Sequence, residues 1–98
     1  MFFTIKDGKI NRHQSATAYT CVYNQYNKAV KILLSPDEKK VLFLLANGIV
    51  NCMDVMGNGN TARTVYYQTS GLSAQDITWD GNKNFLIKNN NGWRRQSV

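Results

Sequence analysis

The stretch Leu34 to Gly48, LSPDEKKVLFLLANG, is the longest apolar run in the chain and has readable punctuation at both ends. Ser35 fits a helix N-cap, Pro36 fits N1, and Glu38 at N3 completes a Ser-x-x-Glu capping box. Asp37 and Glu38 place negative charge at the positive end of the helix dipole. Asn47-Gly48 supplies the left-handed residue on which helices end. The same letters also spell a turn, a buried strand and a hairpin turn. Six consecutive apolar residues, Val41 to Ala46, fit either form, so periodicity does not decide. Length and the capping box favour the helix.

The 98 residues set one domain, 1–98, able to bury a small core. Hydrophobic content of 43% places the chain among folding sequences rather than disordered ones. Twelve Lys and Arg against six Asp and Glu give a formal net charge of +6, which favours a polyanionic partner such as nucleic acid. Cys21 and Cys52 lie outside any C-x-x-C pair, and His13 is the lone histidine, a pattern that argues against zinc. Reduced thiols and a cytoplasmic location are the expectation, since Phe2-Phe3 is too short for a secretory apolar region. No run approaches the roughly 20 apolar residues of a membrane span, so no membrane is implied.

Along the chain, Phe2 to Ile10 reads as a hairpin with Asp7-Gly8 at its turn. Thr17 to Tyr23 and Ala29 to Leu33 favour strand. Residues 1–33 thus form an N-terminal β addition. Beyond them, Asn51 can cap a short helix from Cys52 to Met56, and Gly57-Asn58-Gly59-Asn60 makes a tight turn. Thr61 can cap a second helix, Ala62 to Ser70, closed by Gly71. Its Thr, Val, Tyr and Ser give it poor helix propensity, so packing must enforce it. Ile77 to Trp79 reads as strand, and Phe85 to Lys88 and Trp93 to Val98 read as a hairpin around Asn89 to Gly92.

An internal similarity competes with this order. TAYTCVYNQ from Thr17 matches TARTVYYQT from Thr61, and VLFLLANGIVN from Val41 matches FLIKNNNGWRR from Phe85, both at an offset of 44. Periods near 40–45 are those of propeller blades. A true repeat makes the opening stretch a hairpin and the protein all-β.

No catalytic constellation emerges. The six acids fall mostly in turns or at expected helix starts, His13 has no motif partner, and neither cysteine has a catalytic flank. Gly57-Asn58-Gly59 lacks the lysine and spacing of a phosphate loop, so no cofactor is implied.

From Leu34 onward the expected order is helix, short helix, glycine turn, helix, hairpin. LSPDEKKVLFLLANG resembles the opening helix of LuxR-type helix-turn-helix domains, which begin with a Leu-Ser/Thr-Pro-x-Glu pattern but lack a wing. CMDVMGNGNTARTVYYQTSGL is similar to the short winged-helix regulators of phages and prophages. Ala62 and Arg63 match their Ala-Arg pair, Gly71 the helix stop, and Phe85 to Val98 the wing. The resemblance covers residues 34–98. It implies an α+β winged helix-turn-helix fold and a small transcriptional regulator of a phage or mobile element.

The residues support that expectation chemically. Asn60, Thr61, Arg63, Thr64, Tyr67 and Gln68 offer a dense set of groups for hydrogen bonds to base edges in double-stranded DNA. Arg63 suits guanine and Gln68 adenine. Lys83, Lys88, Arg94 and Arg95 offer positive charge for phosphates. Trp93 reads as a packing residue of the hairpin. A homodimer is compatible with this scheme. The alternative function is that of a compact β-repeat protein that binds and modulates another protein.

Overall fold

The computed structural model describes residues 1–67 and 72–98. Those residues form ten strands in three antiparallel sheets, and no helix occurs among them. The first sheet is β1 (Phe2–Lys6), β2 (Lys9–His13) and β3 (Tyr19–Tyr23). The second is β4 (Ala29–Leu34), β5 (Lys40–Leu45), β6 (Val50–Asp54) and β7 (Arg63–Tyr66). The third is β8 (Asp76–Asp80), β9 (Asn84–Asn89) and β10 (Gly92–Ser97). Each is a meander in which sequential strands are neighbours.

The α+β winged-helix expectation is therefore overturned, and with it the resemblance to LuxR-type and phage helix-turn-helix regulators. The stretch from Leu34 to Gly48 is the end of β4, a turn, and β5. Ser35 does cap, but it caps a turn. Its Oγ accepts from the amides of Lys39 (3.2 Å) and Lys40 (3.0 Å) and donates to Asp37 Oδ1 (2.7 Å). Glu38 has φ +59°, which takes it out of any right-handed helix. The two expected helices that follow are replaced by β6 and by β7, and the closing segment 68–71 lies outside the described residues.

β5 lacks alternation because both of its faces are buried. Leu42 and Leu44 pack with Val50, Cys52, Ile77, Phe85 and Ile87 in a core between the second and third sheets. Val41, Phe43 and Leu45 pack with Ile10, Val22, Tyr23 and Met53 in a second core, toward the first sheet. The middle sheet is thus the shared layer of a three-sheet stack. A strand buried on both sides reads as a continuous apolar run.

The similarity at offset 44 is a structural repeat. β3 and β7 start at Tyr19 and Arg63, and β5 and β9 at Lys40 and Asn84, a spacing of 44 in both cases. The same joint links successive sheets. Ala29 N–H donates to Gly8 O (2.9 Å), and Ala74 N–H donates to Gly48 O (3.1 Å). In each case a hairpin-turn carbonyl receives the entry to the next sheet. Three blade-like units result, of which only the middle one has four strands.

Candidate functional site

The third sheet has one face in the core and one open. Register alone sets which is which. Ile77 pairs with Ile87, which pairs with Arg94; Trp79 pairs with Phe85, which pairs with Gln96. These rows point inward, since Ile77, Phe85 and Ile87 are core residues. Trp79 Nε1 donates to Leu33 O (2.9 Å), and Gln96 Nε2 donates to Val65 O (3.2 Å). The alternate rows are Asp76–Lys88–Trp93, Thr78–Leu86–Arg95 and Asp80–Asn84–Ser97. They form the outer face, apart from the Asp76 carboxylate, which turns back to Lys31 on β4.

Comparison with the middle sheet shows what that face has become. Its rows Leu33–Leu42–Cys52 and Leu44–Val50 point into the core against the third sheet. The matching positions of the third sheet hold Thr78, Leu86 and Arg95, with Lys88 and Trp93. Three of these apolar positions have become polar, as Thr78, Arg95 and Lys88, while Leu86 and Trp93 stay apolar. Trp93 stands 50% exposed, opposite Lys88 and two residues from Arg95. Arg95 Nε reaches Asp80 Oδ2 at 3.1 Å across the face.

Among the described residues β10 is also the edge strand of its sheet. Val98 N–H donates to Lys83 O (3.0 Å). Counting back by twos along the antiparallel ladder, Gln96, Arg94 and Gly92 bond toward β9. The backbone groups of Trp93, Arg95 and Ser97 therefore point to the open edge.

The residues expected to contact DNA are dispersed. Asn60 and Thr61 belong to the turn after β6, where Asn60 N–H bonds Asn58 Oδ1 (2.8 Å) and Thr61 Oγ1 accepts from Asn58 N–H (2.9 Å). Arg63 and Thr64 lie on β7, with Thr64 Oγ1 donating to Asn51 Oδ1 (2.9 Å). Tyr67 is exposed beyond β7, and Gln68 lies outside the described residues. Lys83 is in the β8–β9 turn, Lys88 on β9, and Arg94 and Arg95 on β10. Adjacent on one strand, the two arginines take opposite faces. Lys88 and Arg95 share the outer face; Arg63 and Arg94 are on the inner side, opposite Cys52 and Ile87 in register.

Two features were not read from the sequence. Trp93 is a surface residue, and Trp79 does the packing. His13, expected to be solvated in a loop, is on β2 and 8% exposed. Its ring stacks on Phe2 (4.4 Å between centroids) and packs beside Tyr19 (5.1 Å), with Nε2 2.8 Å from Thr4 Oγ1.

Recesses among the described residues include one of about 460 Å³ lined by Tyr26, Asn27, Lys28, Ala46 and Asn47, and one of about 270 Å³ between residues 21–25 and 58–60. One recess of about 160 Å³ is lined by Lys40, Cys52, Asp54, Thr61 and Arg63, and the Lys40–Asp54 ion pair (3.0 Å) crosses it. Burial pushes the Cys52 thiol above its ordinary value, which suppresses the reactive thiolate. Cys21 is exposed, and both thiols are free. Among the described residues no group of three or more His, Cys, Asp or Glu side chains is placed to hold a metal ion. No helix among them is long and apolar enough to cross a membrane. Comparisons with protein-family models, curated proteins and solved structures find no match to this chain.

Proposed function

We propose that the chain is a non-catalytic β-repeat module that binds another protein through the open side of its third sheet. The observation that carries this is Trp93, half exposed on the outer face between Lys88 and Arg95. Trp and Arg are the residues most enriched at the energetic centres of protein interfaces. An exposed sheet face that carries an indole and two cations suits a macromolecular partner better than a small molecule. The duplex-DNA reading depended on a recognition helix, and β7 stands where that helix was expected. The basic residues that remain are divided between two faces.

The test is affinity capture with the wild type and with Trp93→Ala, after nuclease treatment. Trp93 is outside both cores, so the variant should melt at the wild-type temperature. Proteins held by the wild type and lost by the variant are expected. The same proteins held by both, or wild-type binding to duplex DNA tighter than roughly 10⁻⁴ M at physiological salt, would overturn the reading.

A further inference from the structure

The recess at one end of the second sheet gathers more positive charge than the protein neutralises. Lys40 on β5, Cys52 and Asp54 on β6, and Arg63 on β7 share one face, because Lys40 pairs with Asp54 and Cys52 with Arg63. It is the face that carries Leu42 and Leu44 into the core toward the third sheet, and its charged end lies just beyond that core. Every lining residue belongs to the second sheet or to the turn between β6 and β7.

The charges do not balance. Lys40 Nζ meets Asp54 Oδ1 at 3.0 Å. Arg63 has no acidic partner: all six acids are among the described residues, and their ion pairs are Lys31–Asp76, Lys40–Asp54 and Arg95–Asp80. Two cations thus face one carboxylate around a volume of about 160 Å³. Cys52, buried beneath them, feels all three charges. Burial raises its thiol first, while Lys40 and then Arg63 pull it down and Asp54 pushes it up. Thr61 Oγ1 is bonded twice to Asn58, accepting from its N–H (2.9 Å) and donating to its carbonyl (3.0 Å). It walls the recess with no hydrogen to offer.

The donors left over fit a small oxyanion. An ammonium has three N–H groups, and Asp54 takes one of those on Lys40. A guanidinium has five, in a planar fork that matches phosphate and carboxylate oxygens. The recess is smaller than the roughly 300 Å³ at which pockets for drug-sized ligands begin, so its occupant is small. Asp54 then selects among small anions. A carboxylate only accepts, so an anion with bare oxygens meets like charge there. An anion that keeps one O–H can donate to it. At neutral pH inorganic phosphate keeps an O–H. Sulfate and phosphodiesters have none, and phosphomonoesters, with a second pKa of about 6, have mostly lost theirs.

We propose that this recess binds inorganic phosphate. Arg63 and Lys40 donate to its unprotonated oxygens, and its remaining O–H donates to Oδ2 of Asp54, which has no partner among the described residues. The site is separate from the outer face of the third sheet and does not depend on what binds there.

The probe is sodium phosphate, titrated at pH 7 and constant ionic strength into the full chain in a zwitterionic buffer. Binding is read from the Nε–Hε signal of Arg63 and the amide signals of Cys52 and Arg63. Parallel titrations use sulfate and methyl phosphate. Phosphate should saturate these signals, and the other two should each bind at least about tenfold more weakly. Arg63→Gln, at an exposed position, should weaken phosphate at least about tenfold and leave the melting temperature in place. Asp54→Asn separates selection from structure. An amide can donate as well as accept, so sulfate should gain and the preference for phosphate should fall. Shifts that do not saturate with phosphate would overturn the site. Sulfate or methyl phosphate binding as tightly as phosphate, or an unchanged preference in Asp54→Asn, would overturn the assignment of phosphate to it.

Discussion

Asp76 accepts two hydrogen bonds on one carboxylate oxygen, from Lys31 Nζ (2.5 Å) and from its neighbour's amide, Ile77 N–H (2.9 Å). Lys31 chiefly, then the amide, holds this carboxyl below its ordinary value. A depressed carboxyl contributes stability above its unfolded-state value and loses it as pH falls through the folded one. The pair ties β4 to β8, yet both side chains are 41% exposed, so solvent screens most of the gain. Asp76→Asn should lower stability at pH 7 by no more than about 1 kcal/mol. The gap between variant and wild type should begin to narrow below about pH 4, the range of an unperturbed carboxyl, and close as the pH falls through the lower folded-state value. Urea unfolding midpoints at pH 7 and pH 2 measure it, and a gap of equal size at both would dismiss the linkage. Asp37 is lowered too, by the Ser35 hydroxyl first, but its carboxylate is exposed to solvent and ties only its own turn.

At the scale of the element, the turn carbonyls of Gly8 and Gly48 are where one sheet hands over to the next. Gly48 has φ +84°, and a methyl group there would lie 2.8 Å from Ser73 Cα. Gly92, at φ +98°, has open space around it. Gly48→Ala should therefore cost about 1–3 kcal/mol, from backbone strain plus displacement of the Ser73 joint. Gly92→Ala carries only the strain and should cost less. Equal losses in denaturant unfolding would show that the joint adds nothing. The Asp7-Gly8 turn was legible in the sequence, whereas Asn47-Gly48 read first as a helix stop, because a left-handed glycine ends a helix as readily as it turns a hairpin. The strands from Ile77 to Val98 were legible from the turns between them. β5 was not, because burial on two faces removes the period that separates strand from helix. Ser35, Pro36 and Glu38 misled because a Ser-Pro-Asp turn and a helix N-cap use the same hydroxyl-to-amide chemistry. The 44-residue similarity carried the correct fold, but its identities were few. Of the candidate site, sequence supplied the cations, including Lys88, Arg63 and the Arg94–Arg95 pair. It could not supply their faces, since those follow from register, and it hid Trp93 behind the packing role that Trp79 fills.

Over the whole molecule, the middle sheet lends one face to each core, and each outer sheet has one buried face to offer. Stability in such stacks is the sum of the layers and the interfaces between neighbours. The two interfaces meet in a single strand, because Leu42 and Leu44 serve one core while Val41, Phe43 and Leu45 serve the other. Damage to one core should therefore destabilise the other, and the chain should unfold as one unit. Phe43 is fully buried in the core toward the first sheet, and truncating it should remove about 3–5 kcal/mol. Trp79 reports on the opposite interface, where its indole N–H bonds Leu33 O. In a Trp93→Phe background Trp79 is the remaining tryptophan. Phe43→Ala should then shift the thermal midpoint seen by Trp79 fluorescence as far as the midpoint seen by far-ultraviolet circular dichroism. Should the Trp79 midpoint stay in place while the other falls, the third sheet holds to the second independently of the first. The shared strand would then not couple the two cores.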